Sequence, residues 1–201
     1  MLVAIDGSRY CFKTTVLDKC LNFLGSSAQL FVTEKSDAPL KILHESGEYI
    51  EYIQKETDKM LKLDNNLYFK DKTVLSEPLF HEIATNREIT GLDEHYKQLQ
   101  QAMEKQLSVS KTFIIYYDGN FNDIKELLEK QGGQNGYDEE QWNRINDYWK
   151  FEEFKSYLRL EFAEHNNIQY VKLNKDDFRD PRTSINIANQ IIGYIEKEYK
   201  Y

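Results

Sequence analysis

The sequence contains few of the residues from which metal centres and disulfide frameworks are built. Among 201 residues there are two cysteines, Cys11 and Cys20, and four histidines. Neither cysteine has a Cys or His partner at the spacing of zinc ligands, and the histidines form no HxxxH or HExxH motif. We therefore expect two free thiols, as in a protein of the reducing cytoplasm.

Long apolar runs and an excess of positive charge are also missing. No run approaches the roughly 20 apolar residues that cross a bilayer, and the first residues do not resemble a signal peptide, so no membrane contact is expected. The net charge is −8, from 26 Lys and Arg against 34 Asp and Glu. This acidic balance disfavours non-specific binding of nucleic acid, although a local basic pocket still suffices for a small anion.

What the sequence does contain is a regular alternation of strand and helix patterns, at a length suited to one domain over residues 1–201. Apolar runs typical of buried strands occur at 2–5, 30–33, 73–76, 113–117 and 168–173. Helical patterns separate them, notably at 13–24 and at about 40–63. This alternation predicts an α/β fold in three layers, with a five-stranded parallel sheet and helices on both faces.

The opening stretch MLVAIDGSRYCFKTT has the order of elements of a phosphate-binding loop. A strand pattern ends in Asp6-Gly7, and after five intervening residues Lys13-Thr14-Thr15 begins a helix. Backbone N–H groups and a helix N-terminus attract phosphate oxygens. A Lys at this place neutralises the β/γ-phosphates and a hydroxyl holds Mg²⁺, and Lys13 and Thr14 supply these two groups.

The strict form of this motif is not met. It requires Gly immediately before the Lys, where this chain has Phe12, and related kinases often carry a further Gly where Tyr10 stands. Glycine serves in such loops because it adopts backbone angles that are closed to bulky residues. The alternative interpretation is an ordinary strand–helix unit in which Lys13 is a solvated surface residue.

With these segments the chain resembles the thymidylate kinase and deoxynucleoside (mono)phosphate kinase group of P-loop proteins, especially its bacteriophage-type members. VAIDG…KTT is similar to the opening strand and phosphate loop, and TVLSEPLF to strand three. TFIIYYDGNFNDIKELLEKQGG is similar to strand four, its helix and the start of the lid, and YVKLN…DPRTSINIANQIIGYI to the last strand and helix. The resemblance implies transfer of the ATP γ-phosphoryl group to a (deoxy)nucleotide with Mg²⁺, in the cytoplasm or in a host cytoplasm for a phage protein.

The resemblance also implies roles for residues of the phosphate loop. Those that would bind the phosphates of ATP are Gly7, Lys13, Thr14 and Thr15. Thr14 and Asp6 would hold the metal ion.

On the acceptor side, a helical region of about 38–70 would bind the nucleotide, with Tyr49 and Tyr52 stacking on its base. Glu77 would organise the acceptor, and Lys130 would clamp the transferred group from a lid-like loop of about 130–138.

Two further departures fall at these positions. The family has an acidic residue followed by Arg at the end of strand three, where the matching stretch here is Ser76-Glu77-Pro78. The lid carries Gln131 where the family has Arg, and loss of an Arg clamp lowers the rate by about 10³–10⁵. Two hypotheses stay open: a divergent kinase, and a catalytically impaired kinase-fold protein that serves as a nucleotide sensor or a scaffold. A homodimer or a protein partner is compatible with both.

Overall fold

The computed structural model describes residues 1–7, 11–32, 48–73, 94–117, 119–120, 123 and 168–199. The strands are β1 (Leu2–Gly7), β2 (Ala28–Leu30), β3 (Leu67–Asp71), β4 (Lys111–Tyr117) and β5 (Gln169–Leu173). The α-helices are α1 (Lys13–Leu24), α2 (Glu48–Leu61), α3 (Glu94–Val109) and α4 (Thr183–Tyr199). Two short 3-10 helices, Gly25–Ser27 and Lys175–Phe178, follow α1 and β5.

The five strands form one sheet in the order β2-β3-β1-β4-β5. β1 runs parallel to β3 with Leu2 opposite Tyr68 and Ile5 opposite Asp71, and β2 is parallel to β3 on its other side. Every residue of β1 is buried, as expected of a central strand in a sheet covered on both faces. The predicted α/β class with a five-stranded parallel sheet is confirmed.

The predicted position of strand three is wrong. β3 spans Leu67–Asp71, so the run at 73–76 begins after it; Thr73 is in no strand, and 74–76 lie outside the described residues. The sequence LYFKD escapes a search for continuous apolar runs because it contains two charged residues. Strand two is also displaced, from 30–33 to Ala28–Leu30.

Helix α1 has the limits that the sequence predicts. Its buried side consists of Val16, Leu17 and Cys20, at the spacing of one helix face. The Phe12 carbonyl accepts the first helical hydrogen bond, from Val16 N at 2.8 Å. At the other end Gly25 has φ +54°, the left-handed conformation typical of a glycine that ends a helix.

The chain divides into two compact units, which are described separately. The first comprises 1–6 and 21–113, and the second comprises 7–20 and 114–201. In the first unit α2 packs against α3. The buried apolar side chains of the second unit come mainly from α1, β4, β5 and α4, and include Val16, Ile114, Ile115, Leu173, Ile187 and Ile191.

Parts of the predicted organisation extend past the described residues. The acceptor-side region of 38–70 is described from 48 onward, and the lid-like loop of 130–138 is outside the description. The single domain over 1–201 stays a prediction. None of the described helices combines the length and the apolar character needed to cross a membrane.

Gly7 ends β1 at a point where the second unit leaves no room for a side chain. Its φ is +132°, and a Cβ atom on Gly7 would lie 1.8 Å from the carbonyl oxygen of Ile115 on β4. Only glycine combines this backbone angle with such a close approach between strands. The requirement for glycine here is therefore set by packing as well as by any ligand.

Gly7→Ala is expected to lower the free energy of unfolding by about 3 kcal/mol or more, because backbone strain and overpacking each cost roughly 1–3 kcal/mol. Gly193→Ala is the matched control, since Gly193 lies inside α4 and a Cβ atom added there would have no neighbour within 4 Å. That change should raise stability by about 0.5–1 kcal/mol. Urea unfolding followed by circular dichroism measures both, and equal stabilities would contradict the close packing of Gly7.

Candidate functional site

The candidate phosphate-binding segment belongs to the second unit, and its residues 8–10 lie outside the description. Phe12, directly before α1, has φ +58°. Lys72 is the one other non-glycine residue with a positive φ in the described parts of the chain. Left-handed backbone is the conformation for which a loop glycine is suited. Phe12 therefore adopts a glycine-like backbone angle at the position where the motif has Gly.

The ring of Phe12 packs against Phe178, with ring centroids 5.3 Å apart and planes tilted by 31°. Phe178 ends the 3-10 helix after β5, and Tyr117 of β4 meets it edge-on at 5.2 Å. Each such aromatic pair contributes about 0.5–1.5 kcal/mol beyond the area it buries. This gain offsets the roughly 1–2 kcal/mol that left-handed backbone costs a non-glycine residue.

Lys13 links the two ends of the candidate phosphate-binding segment by a hydrogen bond. Its Nζ donates a hydrogen bond to the carbonyl oxygen of Gly7 at 2.9 Å, which joins the first and last residues of the predicted loop. Lys13 is half-buried and is thus not a solvated surface lysine. Thr14 and Thr15 are exposed on the first turn of α1, the end of a helix that favours anions.

Asp6 lies in the first unit and is fully buried at the end of β1. Its Oδ2 accepts two hydrogen bonds from Thr73, one from the backbone N at 2.6 Å and one from the hydroxyl at 2.5 Å. Lys72 N donates to Ile5 O at 2.9 Å beside them. Asp6 thus joins β1 to the segment that follows β3, and its role as a metal ligand stays a prediction.

The corrected position of β3 reveals an acidic and a basic residue that the sequence interpretation missed. β3 ends at Asp71 and Lys72 follows it, an acid–base order like the acid–Arg pair of the resembled family. Lys72 is exposed with φ +65°. Asp71 Oδ1 is one of three buried side-chain atoms without a hydrogen-bond partner in the described part of the chain. The sequence signal that could have located this pair was Asp71-Lys72 shortly after the apolar residues Leu67, Tyr68 and Phe69.

The remaining predicted residues are only partly described. Tyr52 is half-buried on α2 in the first unit, and Tyr49 lies on the same helix, with its side chain outside the description. Glu77 and Lys130 also lie outside it, so their roles stay predictions. Among the described residues, no three His, Cys, Asp or Glu side chains come together as a metal site.

Several solved structures, a nucleotide kinase and a nucleoside kinase among them, share this fold. The YorR protein of Bacillus subtilis, solved with phosphorylated GDP, covers 100% of this chain and 99% of its own at 19% identity and a TM-score of 0.53. Candida albicans thymidylate kinase is 18% identical, with a TM-score of 0.52, and the match covers 98% of this chain and 92% of the kinase. Deoxyadenosine kinase of M. mycoides with bound dATP is 18% identical, with a TM-score of 0.54, and the match covers 96% of this chain and 100% of the kinase.

No protein-family model and no curated protein matches the sequence. At identities this low the structural likeness shows the fold alone, which the chain shares with thymidylate kinase and deoxyadenosine kinase.

Cys11 and Cys20 are both buried and neither is in a disulfide, in agreement with the sequence prediction; Cys20 lies on α1. Cys20 Sγ lies 3.9 Å from the carbonyl oxygen of Ala188 on α4, within the second unit. Burial raises the pKa of the Cys20 thiol from 9.0 to about 12. The folded protein therefore keeps this thiol protonated over a pH range in which the unfolded chain loses the proton.

Stability is expected to fall as the pH rises from 9.0 towards about 12, because the unfolded chain then binds fewer protons at Cys20. The slope from this one group is at most about 1.4 kcal/mol per pH unit. Cys20→Ala should abolish this component, so its difference from the natural protein in unfolding free energy should shrink with pH. Leu17→Ala, a buried change on the same helix, should keep a constant difference. Urea unfolding of the three proteins at each pH measures these differences. If the differences for Cys20→Ala and Leu17→Ala changed with pH in the same way, the raised pKa of Cys20 would be contradicted.

Proposed function

We propose that the chain is a divergent deoxynucleoside monophosphate kinase that transfers the γ-phosphoryl group of ATP to a (deoxy)nucleotide. The observation that carries the proposal is the loop before α1. Phe12 has a left-handed backbone conformation, and Lys13 Nζ donates a hydrogen bond to the carbonyl oxygen of Gly7. Two features of a phosphate-binding loop, its unusual backbone angle and its inward lysine, thus persist although the glycine does not.

The donor side of the proposed site consists of Gly7, Lys13, Thr14 and Thr15. An ammonium group and two hydroxyl groups at a helix N-terminus suit the oxygens of a triphosphate. Lys13 would exchange its hydrogen bond with Gly7 for phosphate oxygens, and Thr14, with Asp6, would hold Mg²⁺. The ion supplies charge neutralisation when bound. Phosphorylated GDP and dATP, named with two of the structural neighbours, belong to the same class of ligand.

On the acceptor side, Asp71 and Lys72 join the residues expected earlier. Lys72 is the exposed cation at the end of β3 and suits an acceptor phosphate. Among the described residues the buried oxygen Asp71 Oδ1 has no hydrogen-bond partner, and a water molecule would satisfy it. Tyr49 and Tyr52 are proposed to stack on the base, Glu77 to orient the acceptor and Lys130 to act from the lid.

In the proposed reaction an oxygen of the acceptor phosphate forms a bond to the γ-phosphorus as the bond to the bridging oxygen of ADP breaks. No electrons are exchanged with a third component, and the products are ADP and a nucleoside diphosphate. The contribution of the protein is positioning and charge neutralisation, since little covalent chemistry is left for its side chains in such a transfer.

The second candidate function is a catalytically impaired kinase-fold protein that senses nucleotides or binds a partner. One observation favours it: the Phe12 ring is fixed against Phe178 beside the proposed donor site. A bulky ring in this place limits how closely a phosphate approaches the backbone.

The first test is a titration with Mg-ATP and deoxynucleoside monophosphates, by calorimetry and by thermal unfolding. A ligand at 100 times its Kd raises stability by about 2.7 kcal/mol. Lys13→Met is expected to lose binding of Mg-ATP by at least about tenfold, since a charge-assisted contact contributes roughly 1.5–3 kcal/mol. Lys19→Met, on the same helix, should bind as the natural protein does. Binding without ADP formation would favour the nucleotide sensor, and no binding of any nucleotide would contradict the kinase and leave only the partner-binding protein.

The second test compares Phe12→Gly with Phe12→Ala. Both variants lose the ring, but only glycine removes the strain at φ +58°, so the glycine variant should be more stable by about 1–2 kcal/mol. If the chain is a kinase, both variants should bind Mg-ATP within about threefold of the natural protein. A common gain of tenfold or more would show that the ring obstructs the site, and would favour the impaired protein.

A further inference from the structure

A buried polar cluster in the first unit has no part in the proposed reaction. It consists of Lys70 on β3, Glu56 on α2 and Gln106 on α3. The three residues are only 4%, 8% and 1% exposed. Lys and Glu are almost never buried to this extent unless their charges are paired, so the contacts within the cluster determine what it can bind.

One carboxylate oxygen accepts both hydrogen bonds of the cluster. Glu56 Oε2 lies 3.0 Å from Lys70 Nζ and 2.7 Å from Gln106 Nε2. Within the described parts of the chain, the other carboxylate oxygen, Glu56 Oε1, and the amide oxygen Gln106 Oε1 are buried without a hydrogen-bond partner. Buried polar atoms in folded proteins nearly always have one. Two bonded side chains that each keep an unused acceptor mark a place for a hydrogen-bond donor.

The orientation of the Gln106 amide follows from its contact with Glu56. Turning the amide over would place its oxygen against Glu56 Oε2 and would replace a 2.7 Å hydrogen bond by repulsion between two acceptors. The contact with Glu56 therefore determines which amide atom of Gln106 is the oxygen, and that oxygen is the one without a hydrogen-bond partner among the described residues.

The charges determine what kind of donor fits. Lys70 and Glu56 already neutralise each other, so a metal ion would add an unpaired positive charge beside the Lys70 ammonium group. An anion would face two unused acceptor oxygens. Both oxygens are closed off from solvent, which leaves no access for a group as large as a base or a sugar. The remaining class of ligand is a small neutral molecule with two hydrogens to donate.

We propose that this cluster binds one internal water molecule, which donates to Glu56 Oε1 and to Gln106 Oε1. The Lys70 ammonium group has three N–H donors, and one of those not used on Glu56 supplies the bond that the water oxygen accepts. Internal waters typically make about three hydrogen bonds to buried polar groups, which is the number available here. Because Lys70 directly precedes Asp71, the water supports the end of β3 from within the first unit.

A crystal structure of the full chain at about 1.8 Å or better is the direct test. The expected result is a density peak about 2.7–3.2 Å from both Glu56 Oε1 and Gln106 Oε1. Ordered side chains with no peak between them would overturn the proposal, as would a protein donor at that place. Crystals soaked in rubidium chloride should show no anomalous signal there, and a signal would replace the water by a monovalent cation.

Nuclear magnetic resonance gives a second measurement in solution. The side-chain NH₂ of Gln106 should show a negative nuclear Overhauser effect from a long-lived water, distinguished from proton exchange in the rotating frame. This cross-peak should be lost in Gln106→Met and kept in Gln101→Met, an exposed position of the same helix. If Gln106→Met does not fold, through-bond experiments on the natural protein assign the side-chain NH₂ signal of Gln106 instead. A Gln106 amide with no such effect would overturn the proposal, and the outcome is independent of whether the chain is a kinase.

Discussion

The close approach of Gly7 to Ile115 determines the geometry of the candidate site. The backbone of Gly7 at the end of β1 lies against the carbonyl oxygen of Ile115 on β4, so a side chain at this position is excluded whichever residues follow. Lys13 then returns to the carbonyl oxygen of the same glycine. The start of α1, with the exposed threonines of its first turn, is thereby tied to the end of β1.

Phe12 shows how a sequence rule can fail at one residue while the backbone angle for which glycine is suited occurs there. The motif specifies glycine because a Cβ is penalised at positive φ, and the penalty is small enough to be offset by a favourable side-chain contact. The contact with Phe178, itself braced by Tyr117, is of the size required. A loop of this kind is thus defined by its backbone angles, and the residues that produce those angles can differ.

The sequence predicted features that depend on local pattern, and it missed those that depend on distant pairing. The limits of α1, its glycine stop and the alternation of strands and helices follow from periodicity and were obtained correctly. β3 was misplaced because Lys70 is a charged residue in a strand whose charge is satisfied by Glu56, 14 positions away. Gln106 is 50 positions from Glu56, and no spacing rule connects them. The acid–base pair Asp71-Lys72 was lost together with the strand that presents it.

The mutual support of Phe12 and Phe178 also has a consequence for substitutions at either position. A phenylalanine introduced before Lys13 without its aromatic neighbour would carry the full penalty of left-handed backbone. With the pair in place, glycine at position 12 would leave the face of Phe178 uncovered. The two positions are therefore expected to be coupled, so that the effect on stability of a substitution at Phe12 depends on which residue stands at position 178.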